Sequence, residues 1–326
     1  MNSPLCSLLG IDIPILQAPT GSVAGPELAA AVSGAGGLGS LGVTWTAEAE
    51  TIAHIRTIRV ATARPFMLNY ALSFEPVTLC AALEAGTPVV SFSWGQPGEL
   101  LSLVHGYGAK TGVQVSTATG ARTALESGAD FLICQGIEAG GHVQSTHPLT
   151  HALSQVLAAA NGAAPVVAAG GICDARGIAE ALRAGADGVM LGTRFVATRE
   201  SRAHPDYKRL LVEAGDSATG LTICFDGGWP HAPHRVLRNS TLDAWESAGC
   251  PPPGRRPGEG DRLGTTAGGS GVYRYEDTAP REGMAVNAEA MALYAGTGVW
   301  SIQDLPRAGE MVRRLWREAT ELLSAE

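Results

Sequence analysis

The chain has 326 residues, 45% of them apolar and 17% charged, with 23 Lys and Arg against 31 Asp and Glu and a formal charge of −8. That much apolar side chain excludes a disordered polymer, and the acidic balance offers no footprint for nucleic acid or an anionic membrane surface. A small-molecule partner is the class that remains.

Up to about residue 200, short apolar runs alternate with helical patterns. The runs are Ile13–Ala18, Leu38–Gly42, Phe66–Tyr70, Pro88–Phe92, Thr111–Val115, Asp130–Cys134, Pro165–Ala169 and Asp187–Leu191. Helical stretches such as Pro26–Ser33, Ala47–Ile58, Ala118–Ser127 and Ala175–Ala184 lie between them. Eight alternations predict an α/β chain folded as a closed parallel barrel, the (β/α)8 or TIM barrel, over residues 1–215. The segment Ala124-Leu-Glu-Ser-Gly-Ala-Asp130 recurs as Ala181-Leu-Arg-Ala-Gly-Ala-Asp187, each copy ending a helix and opening a strand.

Beyond Leu221 the pattern breaks. A Pro/Gly-rich stretch from Pro251 to Gly271 has loop composition, so residues 216–300 are expected to form a lid or arm whose 251–271 part is mobile or peripheral. Residues 301–326 read as an amphipathic helix, with Met311, Leu315, Trp316 and Leu322 at helical spacing, packing back on the barrel. The first basic residue is Arg56 and no apolar run reaches 18 residues, so no signal peptide or membrane span is expected and the cytoplasm is the expected location. Six cysteines without a CxxC pair read as reduced, mostly buried thiols.

Gly34-Ala-Gly36-Gly-Leu-Gly39 matches GxGxxG, but a helix precedes it and a strand follows, the reverse of a dinucleotide-binding turn. A helix C-cap and tight turn is the better reading. Ala169-Gly170-Gly171 and Leu191-Gly192-Thr193 close the seventh and eighth strands, where barrels hold phosphate. Gln135-Gly-Ile-Glu-Ala-Gly140-Gly141-His142 follows the sixth strand on the same face and offers His142 as acid or base. Glu138, His142, His147 and His151 lack the helix needed to converge on a metal, so none is expected. With only Lys110 and Lys208 present, and neither at the active face, Schiff-base chemistry is not expected. Gln17, Asn69 and Gln114 stand at strand ends and present carboxamides suited to a heterocycle's edge. Together with the phosphate loops they suggest a planar, phosphate-tailed cofactor such as FMN.

Pro14–Pro19, Ala29–Gly39, Phe66–Asn69, Gln135–His142, Ala168–Ile172, Gly192–Phe195, His234–Asn239 and Ala290–Gly298 together resemble the nitronate monooxygenase family over nearly the whole chain. The resemblance implies an FMN-containing TIM barrel with a smaller α-helical lid. It places Asn69, Gln114, Gln135 and Gly140 on the flavin or its ribityl chain, and Gly170, Gly171, Gly192 and Thr193 on the phosphate. Gln17, Ala18, Gly141, Ala169 and Leu191 complete the expected cofactor set, and His142 matches the family's active-site histidine. The implied reaction oxidises an alkyl nitronate or nitroalkane with O2 to a carbonyl compound and nitrite, with His142 either hydrogen-bonding the nitronate or taking the α-proton. Thr20 and Thr297 stand where family members often have Met and Gln. An FMN-dependent NAD(P)H reductase of the enoyl-ACP or quinone type is the alternative on the same scaffold; a flavin-free phosphate-sugar isomerase and a flavin carrier are further ones. A homo-oligomer is compatible with the sequence.

Overall fold

The structure, a computed structural model, describes residues 3–325. Its barrel strands are β1 (Ile15–Gln17), β2 (Gly39–Gly42), β3 (Phe66–Ala71), β4 (Val89–Ser93), β5 (Lys110–Val115) and β6 (Phe131–Gln135). After a two-residue strand β7 (Gly141–His142), which leaves the barrel, β8 (Val166–Ala169) and β9 (Gly188–Leu191) complete it. All eight barrel strands run parallel in the order β1-β9-β8-β6-β5-β4-β3-β2. A parallel bridge between Leu16 and Leu38, with Leu38 N–H donating to Ile15 O at 3.1 Å, joins the two ends and closes the barrel.

The strands read as apolar runs because both faces are covered. Leu16, Leu38, Met67, Val89, Phe131, Ile133 and Val167 fill the interior together with Leu5 and Leu9 of the helix Pro4–Leu9. Burying a side chain such as Phe131 is worth roughly 2–3 kcal/mol. Outward residues such as Leu68, Val90, Leu132 and Val189 pack under the helices.

The repeated segment has one physical explanation in both copies. Gly128 and Gly185 leave their helices with φ of 97° and 100°, a left-handed conformation that costs glycine little. The following aspartates then lace the strands: Asp130 accepts from Thr111 N–H at 2.8 Å and Asp187 from Val166 N–H at 2.9 Å. The literal GxGxxG is likewise a turn after the helix Pro26–Gly34, and a Cβ on Gly39 would lie 1.9 Å from Ala29 O. Glycine there permits close helix-to-strand packing.

The C-terminal segment is the helix Ala308–Ser324, which buries Met311, Val312, Leu315 and Ala319. It lies against the helices Pro26–Gly34 and Ala175–Arg183, and Arg183 Nη2 donates to Leu322 O at 2.7 Å. No helix among the described residues is long and apolar enough to cross a membrane.

The α-helical character implied for the lid needs correction. Between residues 216 and 300 there is one α-helix, Ser240–Ser247, while strands β10 (Thr219–Thr222), β11 (His234–Leu237), β12 (Arg262–Thr265), β13 (Gly271–Tyr273) and β14 (Ala285–Val286) form antiparallel pairs. Glycine and proline limit helix length here, and short strands with long-range partners take over. The 251–271 stretch is mostly exposed, as its composition suggests, yet it is pinned. Arg256 is buried, forms a two-pronged ion pair with Asp226 (2.7 and 2.6 Å), and lies over the Tyr275 ring.

Candidate active site

The C-terminal ends of the barrel strands gather the candidate residues at one mouth. β8 and β9 contribute the glycine loops, and β3 and β4 stand diametrically across from them. Between the two sides, carboxamides form a connected chain. Gln114 Nε2 and Trp94 N–H both donate to Gln144 Oε1, at 2.5 and 3.1 Å. Gln144 N–H donates to Gln135 Oε1 at 2.8 Å, and Gln135 Nε2 donates to His142 O at 3.3 Å. Asn69 Nδ2 donates to Ser91 Oγ at 3.0 Å on the neighbouring strand.

His142 lies on β7, which pairs antiparallel with β11 and sets His142 opposite His234. The two glycines before it, Gly140 and Gly141, give it little local bulk, so its placement comes from the strand it pairs with. Its ring is 4.5 Å from that of Trp229, 5.4 Å from His234 and 5.6 Å from Tyr294. The Nε2 atom is buried with no hydrogen-bond partner among the described residues. Burial, and secondarily His234, push His142 down to about 3, because an imidazolium in this ring-lined space would lose its hydration. Burial also pushes His234 down, against the opposing pull of its bond to Ala232; its Nε2 accepts from Phe225 N–H at 3.2 Å while Nδ1 faces Ala232 O at 2.9 Å.

On the opposite side, the backbone N–H groups of Gly170, Gly171 and Gly192 find no acceptor among the described residues. The Thr20 hydroxyl is also buried without a partner, and its methyl group would be 3.5 Å from a Cβ on Gly192. The segment around Gly296–Gly298 closes over this region. Thr297 N–H donates to Glu138 O at 3.0 Å, and a Cβ on Gly298 would come within 2.0 Å of Gly171 O.

This chain matches the family model described as nitronate monooxygenase over residues 2–78 and 76–318. The chain belongs to the nitronate monooxygenase family. It is 33% identical to a nitronate monooxygenase of Pseudomonas aeruginosa, with 98% of this chain and 99% of that protein covered. It is 37% identical to an octahydro-indene-carboxyl-CoA dehydrogenase of Mycobacterium tuberculosis over 76% of this chain and 69% of that protein. Among solved structures, FabK from Thermotoga maritima superposes with a TM-score of 0.85 at 29% identity, covering 100% of this chain and 98% of that one. A nitroalkane oxidase from Streptomyces ansochromogenes superposes at 0.77 and 30% identity, covering 98% and 99%.

Within this member of the nitronate monooxygenase family, not every candidate presents its side chain to the mouth. Gln17 is fully buried, and its carboxamide is spent in the wall: Ser40 N–H donates to Oε1 at 2.8 Å while Nε2 donates to Ala18 O. The Thr193 hydroxyl accepts from Gly296 N–H at 2.9 Å and so joins barrel to lid. Glu138 accepts from Leu149 N–H at 2.9 Å and caps the helix Leu149–Ala160, whose own cap position is a proline. Lys110 opens β5 at the far end of the barrel and pairs with Asp130 at 3.1 Å. Two contributors were missed from sequence. Gln144, two residues past His142, had a weak signal as a further carboxamide next to a flagged motif. Trp229 had none, because its partner ring lies 87 residues earlier in the chain and only folding brings them together.

Proposed function

We propose that the chain is an FMN-dependent monooxygenase that oxidises alkyl nitronates with O2 to carbonyl compounds and nitrite. The observation that carries this reading is the buried, unpartnered Nε2 of His142 at the inner end of a carboxamide chain. A phosphate-tailed flavin fits the remaining features. The N–H groups of the half-buried Gly170, Gly171 and Gly192, without backbone acceptors, and the buried Thr20 hydroxyl are donors suited to a phosphate. Asn69 and Gln114 suit the edge of a ring with alternating donors and acceptors, whereas both carboxamide atoms of Gln135 are engaged by Gln144 N–H and His142 O and position β7. When bound, FMN supplies the acceptor for electrons leaving the nitronate and, once reduced, the reactivity toward O2.

The protein's own part is to orient and to exclude water. With its ring held neutral, His142 presents Nε2 to a nitro oxygen as a hydrogen-bond donor in the Nε2–H tautomer. A base whose conjugate acid has a pKa of about 3 is a poor acceptor for a carbon-bound proton, so the site favours a preformed nitronate over a neutral nitroalkane. The Gln135–Gln144–Gln114 chain fixes the β7 backbone and thereby the direction of His142.

A second reading, reduction of a substrate by NAD(P)H through the same flavin, is supported by the similarity to the carboxyl-CoA dehydrogenase and by Thr20 and Thr297 at the two departures from the family pattern. Anaerobic mixing with propyl-2-nitronate, an alkyl nitronate without a carboxylate, and separately with NADPH and NADH, separates the two. Loss of the flavin's visible absorption with the nitronate alone supports the monooxygenase. Rapid bleaching by a nicotinamide with no response to nitronate overturns it in favour of the reductase.

A further inference from the structure

Four rings stand together over the β2–β4 side of the mouth, only one of which, Trp229, touches His142 closely. Trp45 follows β2, Phe74 follows β3, Trp94 follows β4, and Trp229 reaches across from the lid. Ring centroids are 5.1 Å apart for Trp45 and Phe74, 5.2 Å for Phe74 and Trp229, and 4.7 Å for Trp94 and Trp229. The rings of the cluster meet largely edge to face, and Trp229 lies at 31° to the His142 ring, so the cluster reaches the ring that carries the unpartnered Nε2. At its outer margin Trp45 is 62% exposed.

Two features set this group apart from ordinary packing. Trp94 adopts φ of 58°, a left-handed backbone that costs a bulky residue about 1 kcal/mol or more. Its N–H bond to Gln144 holds it there, next to the carboxamide chain. The rings also carry no cation. The cation–π pairs among the described residues are Arg59 on Phe66 and Arg256 on Tyr275, neither of them in this group. A carboxylate placed against these faces would lose water and gain no counter-charge.

We infer that Trp45, Phe74, Trp94 and Trp229 form an aromatic subsite that receives a flat, uncharged body of the substrate, with the nitro head at His142. The favoured class is aryl or conjugated nitronates, in preference to small carboxylate-bearing ones. To admit the group, Trp229 gives up part of its contact with Trp94 or Phe74 and regains an equivalent ring contact with the incoming group. The inference rests on the reading of His142 as the reaction end of the mouth.

The test uses FMN-loaded protein and two nitro compounds that carry no hydrogen on the nitro-bearing carbon, nitrobenzene and 2-methyl-2-nitropropane. Neither can be turned over as a nitronate, so calorimetric affinity reports the subsite even if nitronate oxidation itself fails. Nitrobenzene is expected to bind at least tenfold more tightly, a difference of about 1.4 kcal/mol. Trp229→Ala and Trp45→Ala are each expected to bring the ratio toward one. Trp45 sits at the exposed margin, so its variant folds even if the Trp229 variant does not. Equal affinities in the parent protein, or a preference that survives Trp45→Ala and Trp229→Ala, would overturn the inference.

Discussion

Acidification should test the environment of His142 directly. Its pKa falls from 6.5 to about 3 on folding, so the unfolded chain binds a proton in that window that the folded protein refuses. Stability therefore rises with pH through the window and is lost as pH falls below 6.5 toward about 3. Linkage from these two values gives a loss of about 2 kcal/mol between about pH 8 and about pH 5. The ring is only partly enclosed, so solvent screening reduces the expected effect to about 1 kcal/mol. The assay is urea unfolding of the parent and of His142→Gln at both pH values. His234, also depressed by burial, is present in both proteins, so the difference between the two pH dependences isolates His142. The variant should lose less stability on acidification, and NMR should show the His142 Cε1–H signal flat above about pH 5. Identical pH dependence in both proteins, or a titration midpoint near 6.5, would refute the enclosed-ring argument.

Three further outcomes follow from particular contacts. Gly192 has no left-handed φ, and its Cβ would meet only ordinary neighbours, so Gly192→Ala should fold and retain FMN. Gly192→Asp should fold but purify colourless, because it sets a carboxylate beside the phosphate donors; a fully loaded Asp variant places the phosphate elsewhere. Arg256→Ala leaves Asp226 without its partner and should cost about 2 kcal/mol, below the ~3–5 kcal/mol of a fully buried pair because Asp226 is partly solvated. Limited proteolysis should then cut within 251–271, and an unchanged digestion pattern would show that the ion pair does not hold that stretch. His142→Ala should keep FMN, read from its absorption, while nitronate turnover falls by about 10²-fold or more; unchanged turnover removes His142 from the reaction.

The barrel was legible in the sequence for a simple reason. Strands such as Val89–Ser93 and Phe131–Gln135 are buried on both faces, so they stand out as apolar runs bounded by glycine, proline or aspartate. The glycine loops and His142 were legible because their place after numbered strands fixes the face on which they emerge. Exposed and half-buried strands such as Thr219–Thr222 carry no such run, and the lid reads as loop until its partners are known. The pairing of His142 with His234 joins residues far apart in the chain and leaves no periodic trace. Gln17 shows the opposite limit. A carboxamide at a strand end looks like a ligand contact in sequence, yet here Ser40 consumes it.

Under the proposed function, that long-range pairing also gives the lid a task beyond covering the mouth. β7 leaves the barrel after β6 and becomes an edge of the β10–β11 sheet, so the lid backbone sets the position of His142. The same lid carries Trp229 onto the His142 ring and Tyr294 beside it. The groups that strip water from His142, and so keep it neutral, are thus those that position it. A change that loosens β11 from β7 would let water reach the ring, raise its pKa and misdirect Nε2 together. Loss of orientation and recovery of an ordinary histidine titration should therefore appear in the same variants, whereas substitutions in the glycine loops of β8 and β9, across the barrel, should leave both unchanged.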